Sequence, residues 1–213
     1  MITVIIANGT LDHSPNLDAL LEQADLLIAA DGGANHCAEL SITPDILLGD
    51  LDSINPAILA TYESGGVAIH RFPRRKDATD LELALDLAIE KGARAIWLIG
   101  TLGGRWDMSL ANIMLAASDK YKGQKIFLLG QDCSMRIMHP GKVYTINSTP
   151  GQKVSFLPLK SDVHGVTLSG FEYPLTHHTI PFGSSLGVSN ILKNNRATVQ
   201  HTEGVLLCVL FSE

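Results

Sequence analysis

Asp50 and Asp52 close an apolar run, Asp45-Ile46-Leu47-Leu48-Gly49-Asp50-Leu51-Asp52-Ser53, so two carboxylates stand two residues apart where a buried strand is expected to emerge into a loop. In an extended segment the side chains at i and i+2 share a side, and both acids are expected to face one small volume. Two negative charges held that close call for a cation between them. Mg2+ suits the pair, because it takes a few carboxylate oxygens and completes its shell with water and phosphate oxygens. Further acids recur at other loop positions, and phosphate chemistry is the leading reading.

Asp77 and Asp80 flank the start of the strongest helical pattern and directly follow the basic cluster Arg74-Arg75-Lys76. Acids there complement the helix dipole, yet a helix N-terminus also offers N–H groups to an anion, and an acid there can complete a metal site. Arg74, Arg75 and Lys76 have the composition of a solvated surface cluster; their place beside the acids favours phosphate contacts. Gly100-Thr101-Leu102-Gly103-Gly104-Arg105-Trp106-Asp107 follows a buried strand and precedes a helix. It is neither a Walker A loop nor a GxGxxG fingerprint. Its glycines let backbone approach a ligand, Arg105 can fork onto phosphate oxygens, and Asp107 can accept a proton or hold a metal-bound water. Trp106 is read as packing. Asp31-Gly32-Gly33-Ala34-Asn35 is another strand-to-helix turn bearing an acid, with a plain tight turn as its competing reading. Gly183-Ser184-Ser185-Leu186-Gly187-Val188-Ser189-Asn190 gathers short hydroxyl and amide groups suited to hydrogen-bonding a neutral or cationic heteroaromatic ring. His177-His178 lacks the partners of a metal site.

These residues need elements to position them. Ile2–Ala7, Leu26–Ala30, Ile46–Leu48, Val67–Ile69, Ala95–Ile99 and Ile126–Leu129 read as buried strands. Between them, Asp80–Lys91 carries an apolar stripe of Leu81, Ala84, Leu85 and Ala88, a capping box of Thr79 with Glu82, and a stop at Gly92. Ser109–Lys120 reads as a second helix with Leu110, Ile113, Met114 and Ala117 on its apolar face. Alternation of strand and helix predicts an α/β unit with a mostly parallel sheet flanked by helices, over residues 1–130. Ligands in such sheets collect beyond the carboxyl ends of the strands, which is where Asp31, Asp50, Asp52 and the 100–107 segment fall. From 131 to 213 the pattern changes to short strand-like runs, Met135–Met138, Val143–Ile146, Val154–Pro158, Gly165–Leu168, Thr198–Gln200 and Val205–Phe211. No long helical stripe interrupts them, and a smaller all-β sandwich or compact barrel is expected.

Composition narrows the function classes. The formal charge is −6 over 213 residues. Residues 1–130 hold ten Lys/Arg against seventeen Asp/Glu, and the remainder six against five, so the acidity belongs to the first part. That balance argues against nonspecific nucleic-acid or anionic-membrane binding and requires metal or local basic residues for any phosphate ligand. Cys37, Cys133 and Cys208 lack CxxC spacing and are expected as reduced core thiols. No apolar stretch approaches the roughly 20 residues of a spanning helix, and a soluble, cytoplasmic protein is expected.

Taken in order, Asp31-Gly32-Gly33-Ala34-Asn35, Gly49-Asp50-Leu51-Asp52-Ser53, Lys76-Asp77-Ala78-Thr79-Asp80 with Leu81-Glu82-Leu83-Ala84, Gly103-Gly104-Arg105-Trp106-Asp107 and Ser185-Leu186-Gly187-Val188-Ser189-Asn190 resemble the motifs of the thiamine pyrophosphokinases. The resemblance extends over nearly the whole chain. It implies transfer of the terminal diphosphate of ATP to the hydroxyethyl group of thiamine, giving thiamine diphosphate and AMP. It also implies a catalytic amino-terminal domain, a thiamine-binding β domain and a homodimer whose thiamine pocket is completed across the subunit interface. By motif match Asp50, Asp52 and Asp80 would carry Mg2+. Asp31, Asn35, Lys76, Gly103 and Gly104 would hold the nucleotide, Asp77, Arg105 and Asp107 would serve the transfer, and Ser185, Ser189 and Asn190 would touch thiamine. The family pattern commonly has His after the acid of the Gly-Gly-Arg loop; Met108 stands there, so no imidazole role carries over.

Three rival readings remain. A haloacid-dehalogenase-type phosphatase also places Asp-x-Asp at a strand end, with Asp50 as nucleophile, but the rest of that signature is not evident. A non-catalytic thiamine or nucleotide sensor would use the same acids only for binding. A related pyrophosphokinase would act on another alcohol, such as a pterin.

Overall fold

Val4, Ile5 and Ile6 are all fully buried, as a strand covered on both faces requires. They lie in β1 (Ile2–Ile6), and the same logic applies to β2 (Leu26–Ala30), β3 (Ile46–Gly49) and β5 (Ala95–Ile99), with β6 (Lys125–Leu129) fully buried on one face only and β4 (Ala68–Arg71) at a more exposed edge. Helices α1 (Pro15–Glu22), α2 (Gly33–Glu39), α3 (Pro56–Ser64), α4 (Asp80–Glu90) and α5 (Trp106–Ala116) alternate with the strands. The computed structural model describes residues 1–11 and 15–212. It divides into two units, Met1–Leu115 with Gly123–Gln131, and Ala116–Lys122 with Asp132–Glu213.

In the first unit the strands lie in the order β6-β5-β1-β2-β3-β4, every pairing parallel. Alternate residues serve opposite faces. Val4, Ile6, Ala29 and Leu47 join Ala34 and Cys37 of α2 and Tyr62 of α3 in one cluster, while α4 packs against β1, β2 and β3. Leu81, Ala84, Leu85 and Ala88 are the buried stripe of α4, as its periodicity predicts. Thr79 caps that helix by accepting from the Glu82 N–H at 3.2 Å, and Gly92 ends it at φ +88°, a backbone state that an L side chain resists.

The helix after the Gly-Gly-Arg loop departs from its expected course. It begins at Trp106 and ends at Ala116, and residues 119–121 form a separate 3-10 turn. Its buried residues include Ser109 and Asn112, whereas Leu110 and Met114 are largely exposed and Trp106 is 83% exposed. Trp106 is therefore not packing. Ser109 and Asn112 turn inward because they satisfy loop backbone: Gly103 N–H donates to Ser109 Oγ and the Asn112 amide donates to Thr101 O.

The second unit is a sandwich of two antiparallel sheets. One has the order β12-β9-β14-β7, from β7 (Cys133–Met138), β9 (Lys153–Pro158), β12 (Asn190–Ile191) and β14 (Leu206–Phe211). The other has the order β11-β10-β13-β8, from β8 (Val143–Asn147), β10 (Val163–Ser169), β11 (Leu175–Ile180) and β13 (Arg196–Gln200). Inward residues of both sheets form its core, among them Phe156, Cys208, Val166 and Val199. Phe156 meets Phe171 edge-on at 5.3 Å between ring centroids. Strand β11 has no counterpart in the predicted strands, because Thr-His-His-Thr separates its two apolar ends and His177, at φ +48°, interrupts the alternation. Cys37 and Cys208 are buried free thiols and Cys133 a partly buried one. Among the described residues no helix is long and apolar enough to cross a membrane.

Candidate active site

The parallel sheet changes direction at β1: β2, β3 and β4 follow on one side, β5 and β6 on the other. Loops leaving β1 and β5 therefore diverge and open a crevice beyond the strand ends. A cleft of about 700 Å3 lies there, lined by the ends of β1, β2, β3 and β5 and by the first turn of α4. Its polar lining includes Asp31, Asp50, Lys76, Asp80 and Arg105, with Gly103 and Gly104 beside them.

Asp31, Asp50 and Asp52 each bring a carboxylate oxygen within 4.8 Å of the others. The pair at 50 and 52 meets, but not through an extended strand. Leu51 takes φ +64° and the Asp52 N–H points to Asp50 Oδ1 at 3.4 Å, so a turn sets the spacing. The buried Leu51 side chain holds that turn in the core. Asp31 also has positive φ, +47°, and its N–H donates to Leu48 O at 2.7 Å, which fixes the end of β2 beside β3. Gly49 makes this approach possible: a Cβ there would sit 3.0 Å from Asp31 Cβ and 3.2 Å from Asp80 Oδ1. Asp31 Oδ1 is buried without a hydrogen-bond partner. An orphaned carboxylate oxygen among three gathered acids fits a divalent cation.

Asp80 stands beside that group rather than in it. Its Oδ1 accepts from Lys76 Nζ at 2.5 Å, and both side chains are mostly shielded. Arg74 lies 3.5 Å from Asp52 but is far more exposed. Arg105 forks onto Asp107 through Nε at 3.2 Å and a terminal nitrogen at 2.6 Å. Arg105's hydrogen bond holds the Asp107 carboxyl below the usual carboxylate range.

Asp77, Asp107 and Asp52 are exposed and lie outside the lining of the cleft. Asn35 is absent from it as well; its amide donates to Ser53 O and accepts from Asn55 N–H, both at 2.9 Å, and so braces the loop that carries Asp50 and Asp52. Gly103 and Gly104 take φ +85° and +67°, but the Gly103 N–H is already spent on Ser109. Asn8, Thr10, Thr101 and Asn112 also line the cleft, and sequence reasoning passed over them. Asn8 and Thr101 each lie two residues past a strand end, a signal that was available; Asn112 reaches the site only through the unexpected face of α5.

In the second unit a separate cavity of about 400 Å3 is lined by Leu168, Tyr173, Leu175, Ser185, Leu186, Gly187, Val188 and Asn190. Asn190 is almost fully buried and locked: its amide donates to Tyr173 O at 2.8 Å while its Oδ1 accepts from Tyr173 and Ile191 N–H groups. Ser189 lies beyond the lining, at φ +57° with its N–H on Ser155 Oγ.

The family model for the thiamin pyrophosphokinase catalytic domain matches residues 17–128, and that for the thiamin pyrophosphokinase vitamin B1 binding domain matches residues 143–206. The thiamine pyrophosphokinase of Bacillus subtilis is 34% identical over 206 residues, 96% of each chain. Its crystal structure superposes with a TM-score of 0.88 at 33% identity over the whole of both chains. The thiamin pyrophosphokinase of Geobacillus thermodenitrificans gives 0.85 at 31% identity, covering 100% of this chain and 98% of that one. The chain belongs to the thiamine pyrophosphokinase family.

Proposed function

We propose that the protein transfers the terminal diphosphate of ATP to the hydroxyl of thiamine, forming thiamine diphosphate and AMP. The observation that carries this reading is the cleft at the β1/β5 switch point, where gathered carboxylates stand beside Lys76 and Arg105. In the reaction the thiamine hydroxyl oxygen bonds to the β-phosphorus of ATP and gives up its proton to solvent, the bond from that phosphorus to the α–β bridging oxygen breaks, and AMP departs with that oxygen. As in phosphoryl transfer generally, the protein's part is positioning and neutralising charge. Mg2+ held by Asp31, Asp50 and Asp52, with Asp80 alongside, would supply positive charge to the phosphate oxygens. Lys76 and Arg105 add donors from the cleft wall, and the glycines at 103 and 104 leave room for the polyphosphate. Asp107 orients the attacking hydroxyl. Thiamine is held by the second unit, where the cavity bordered by Ser185 and Asn190 supports that assignment.

The working form in this reading is a cytoplasmic homodimer. Exposed apolar side chains on α5, Trp106, Leu110 and Met114, support a second copy as their cover. Incubating the protein with Mg2+, ATP and thiamine tests the reading. AMP and thiamine diphosphate should accumulate in equal amounts; saturable binding of both substrates without turnover would leave a sensor instead.

A further inference from the structure

Lys76 leaves the loop before α4 and buries its ammonium against Asp80, 2.5 Å away, with only 15% and 26% of the two side chains exposed. The ammonium also lies over the Phe72 ring, Nζ 5.7 Å from its centroid. Both charged groups line the cleft, and Asp80 Oδ1 lies beside Gly49, next to the acids at 31 and 50. Arg74 and Arg105 are likewise on carboxylates, those of Asp52 and Asp107, but both are largely exposed. Lys76 is thus the shielded one of three cations of the cleft wall that rest on acids.

We propose that Lys76 is an exchangeable counter-ion: in the free protein its ammonium neutralises Asp80, and when a metal-bound polyphosphate enters, it leaves the carboxylate for a phosphate oxygen. A half-buried carboxylate stripped of its partner is costly, so Lys76 has a better place to go only when a divalent cation replaces it at Asp80. Cation and polyphosphate then bind cooperatively through the protein, and each alone binds weakly. A lysine that held phosphate from a place remote from the acids would oppose no cation; one that merely braced the loop would weaken both ligands when lost. The exchange requires opposite signs. Removing the ammonium should strengthen binding of a bare cation, which no longer competes, and weaken binding of polyphosphate.

This inference rests on the assignment of the cleft to a metal-bound triphosphate. The test is titration of the full chain, without thiamine, with Mn2+ alone and with inorganic tripolyphosphate alone, followed by paramagnetic resonance and calorimetry. Lys76→Met should bind Mn2+ about three- to tenfold more tightly and tripolyphosphate about tenfold more weakly, given one unit charge at near contact in a partly screened site. Lys76→Arg should remain near wild type for both, which keeps the test valid should the methionine variant fold poorly. Mn2+ affinity unchanged or lowered in a folded Lys76→Met protein overturns the exchange while leaving the cleft assignment standing. A wild-type protein that binds neither Mn2+ nor tripolyphosphate overturns both.

Discussion

Asp31 and Leu51 hold positive φ although neither is glycine, a backbone state that costs about 1 kcal/mol or more per residue. Both bring carboxylates together that would otherwise separate, and Leu51 meets that cost by burying its side chain. Crowding the acids has its own cost in repulsion. Asp50→Asn removes one of the charges, so the metal-free variant should melt about 1–2 °C higher in a thermal scan while turnover falls about 10²–10³-fold. A variant both less stable and fully active would show that the charges are not in conflict and not in use. Asp107 poses a different question. Asp107, like any exposed aspartate, is ionised at neutral pH, and the hydrogen bond from Arg105 lowers its pKa further, which suits orienting a hydroxyl better than deprotonating it. Asp107→Asn should therefore lower kcat by a similar factor, about 10- to 100-fold, at every pH from about 6 to 9. A rate deficit that changes steeply with pH in that range would instead mark Asp107 as the titrating base.

Helix α4 was legible in the sequence to within one residue at its C-terminus: cap, apolar stripe and glycine stop each answer a local physical need. Leu85→Ala should cost about 2–5 kcal/mol in urea unfolding, since that side chain is fully buried, and Thr79→Ala about 1 kcal/mol through loss of the cap. Helix α5 was legible as a helix but not in its orientation. Hydrophobicity chose Leu110 and Met114 as the inward face, whereas backbone groups of the 101–103 loop recruited Ser109 and Asn112, a tertiary demand invisible to periodicity. The same distinction holds for the acids: Asp50 and Asp52 announced themselves by spacing, but the αL turn that joins them and the recruitment of Asp31 depend on neighbouring strand ends. In the β unit, His139 and His201 close β7 and β13, both nearly fully buried, with Nδ1 of one and Nε2 of the other unpartnered. Burial lowers the pKa of both, and for His139 the nearby Lys122, Lys142, Lys160 and His201 push the same way. The unfolded chain therefore takes up these protons first. Stability is whole above the ordinary histidine pKa of about 6.5 and drains away as pH falls below it. Melting temperatures should drop between about pH 7 and 5, and His139→Gln should flatten part of that slope; an unchanged slope would assign the acid lability elsewhere.

At the scale of the whole molecule, the six parallel strands gather acids at one end of the first unit, and the second unit offers a cavity with few charges, a division that matches a polyphosphate donor and an organic acceptor. The change from α/β to all-β was readable from the pattern because parallel strands are apolar throughout while sandwich strands alternate, as Arg196–Gln200 does with Ala197 and Val199 inward. What covers α5 was not readable, since a stripe that faces a second copy has the same periodicity as one that faces the core. Trp106, Leu110 and Met114 recur every four residues, which places them on one side of the helix. Left in water, that stripe would be an aggregation liability. If a second copy covers it, sedimentation should show the wild-type protein as a dimer, and the double substitution Leu110→Lys with Met114→Lys should yield a folded monomer by circular dichroism and light scattering. If turnover requires the dimer, the monomer should lose turnover while retaining Mn2+ and tripolyphosphate binding in the cleft of its first unit. A dimer that survives both lysines would move the interface to another surface, and a monomer with full turnover would show that one chain holds the whole site.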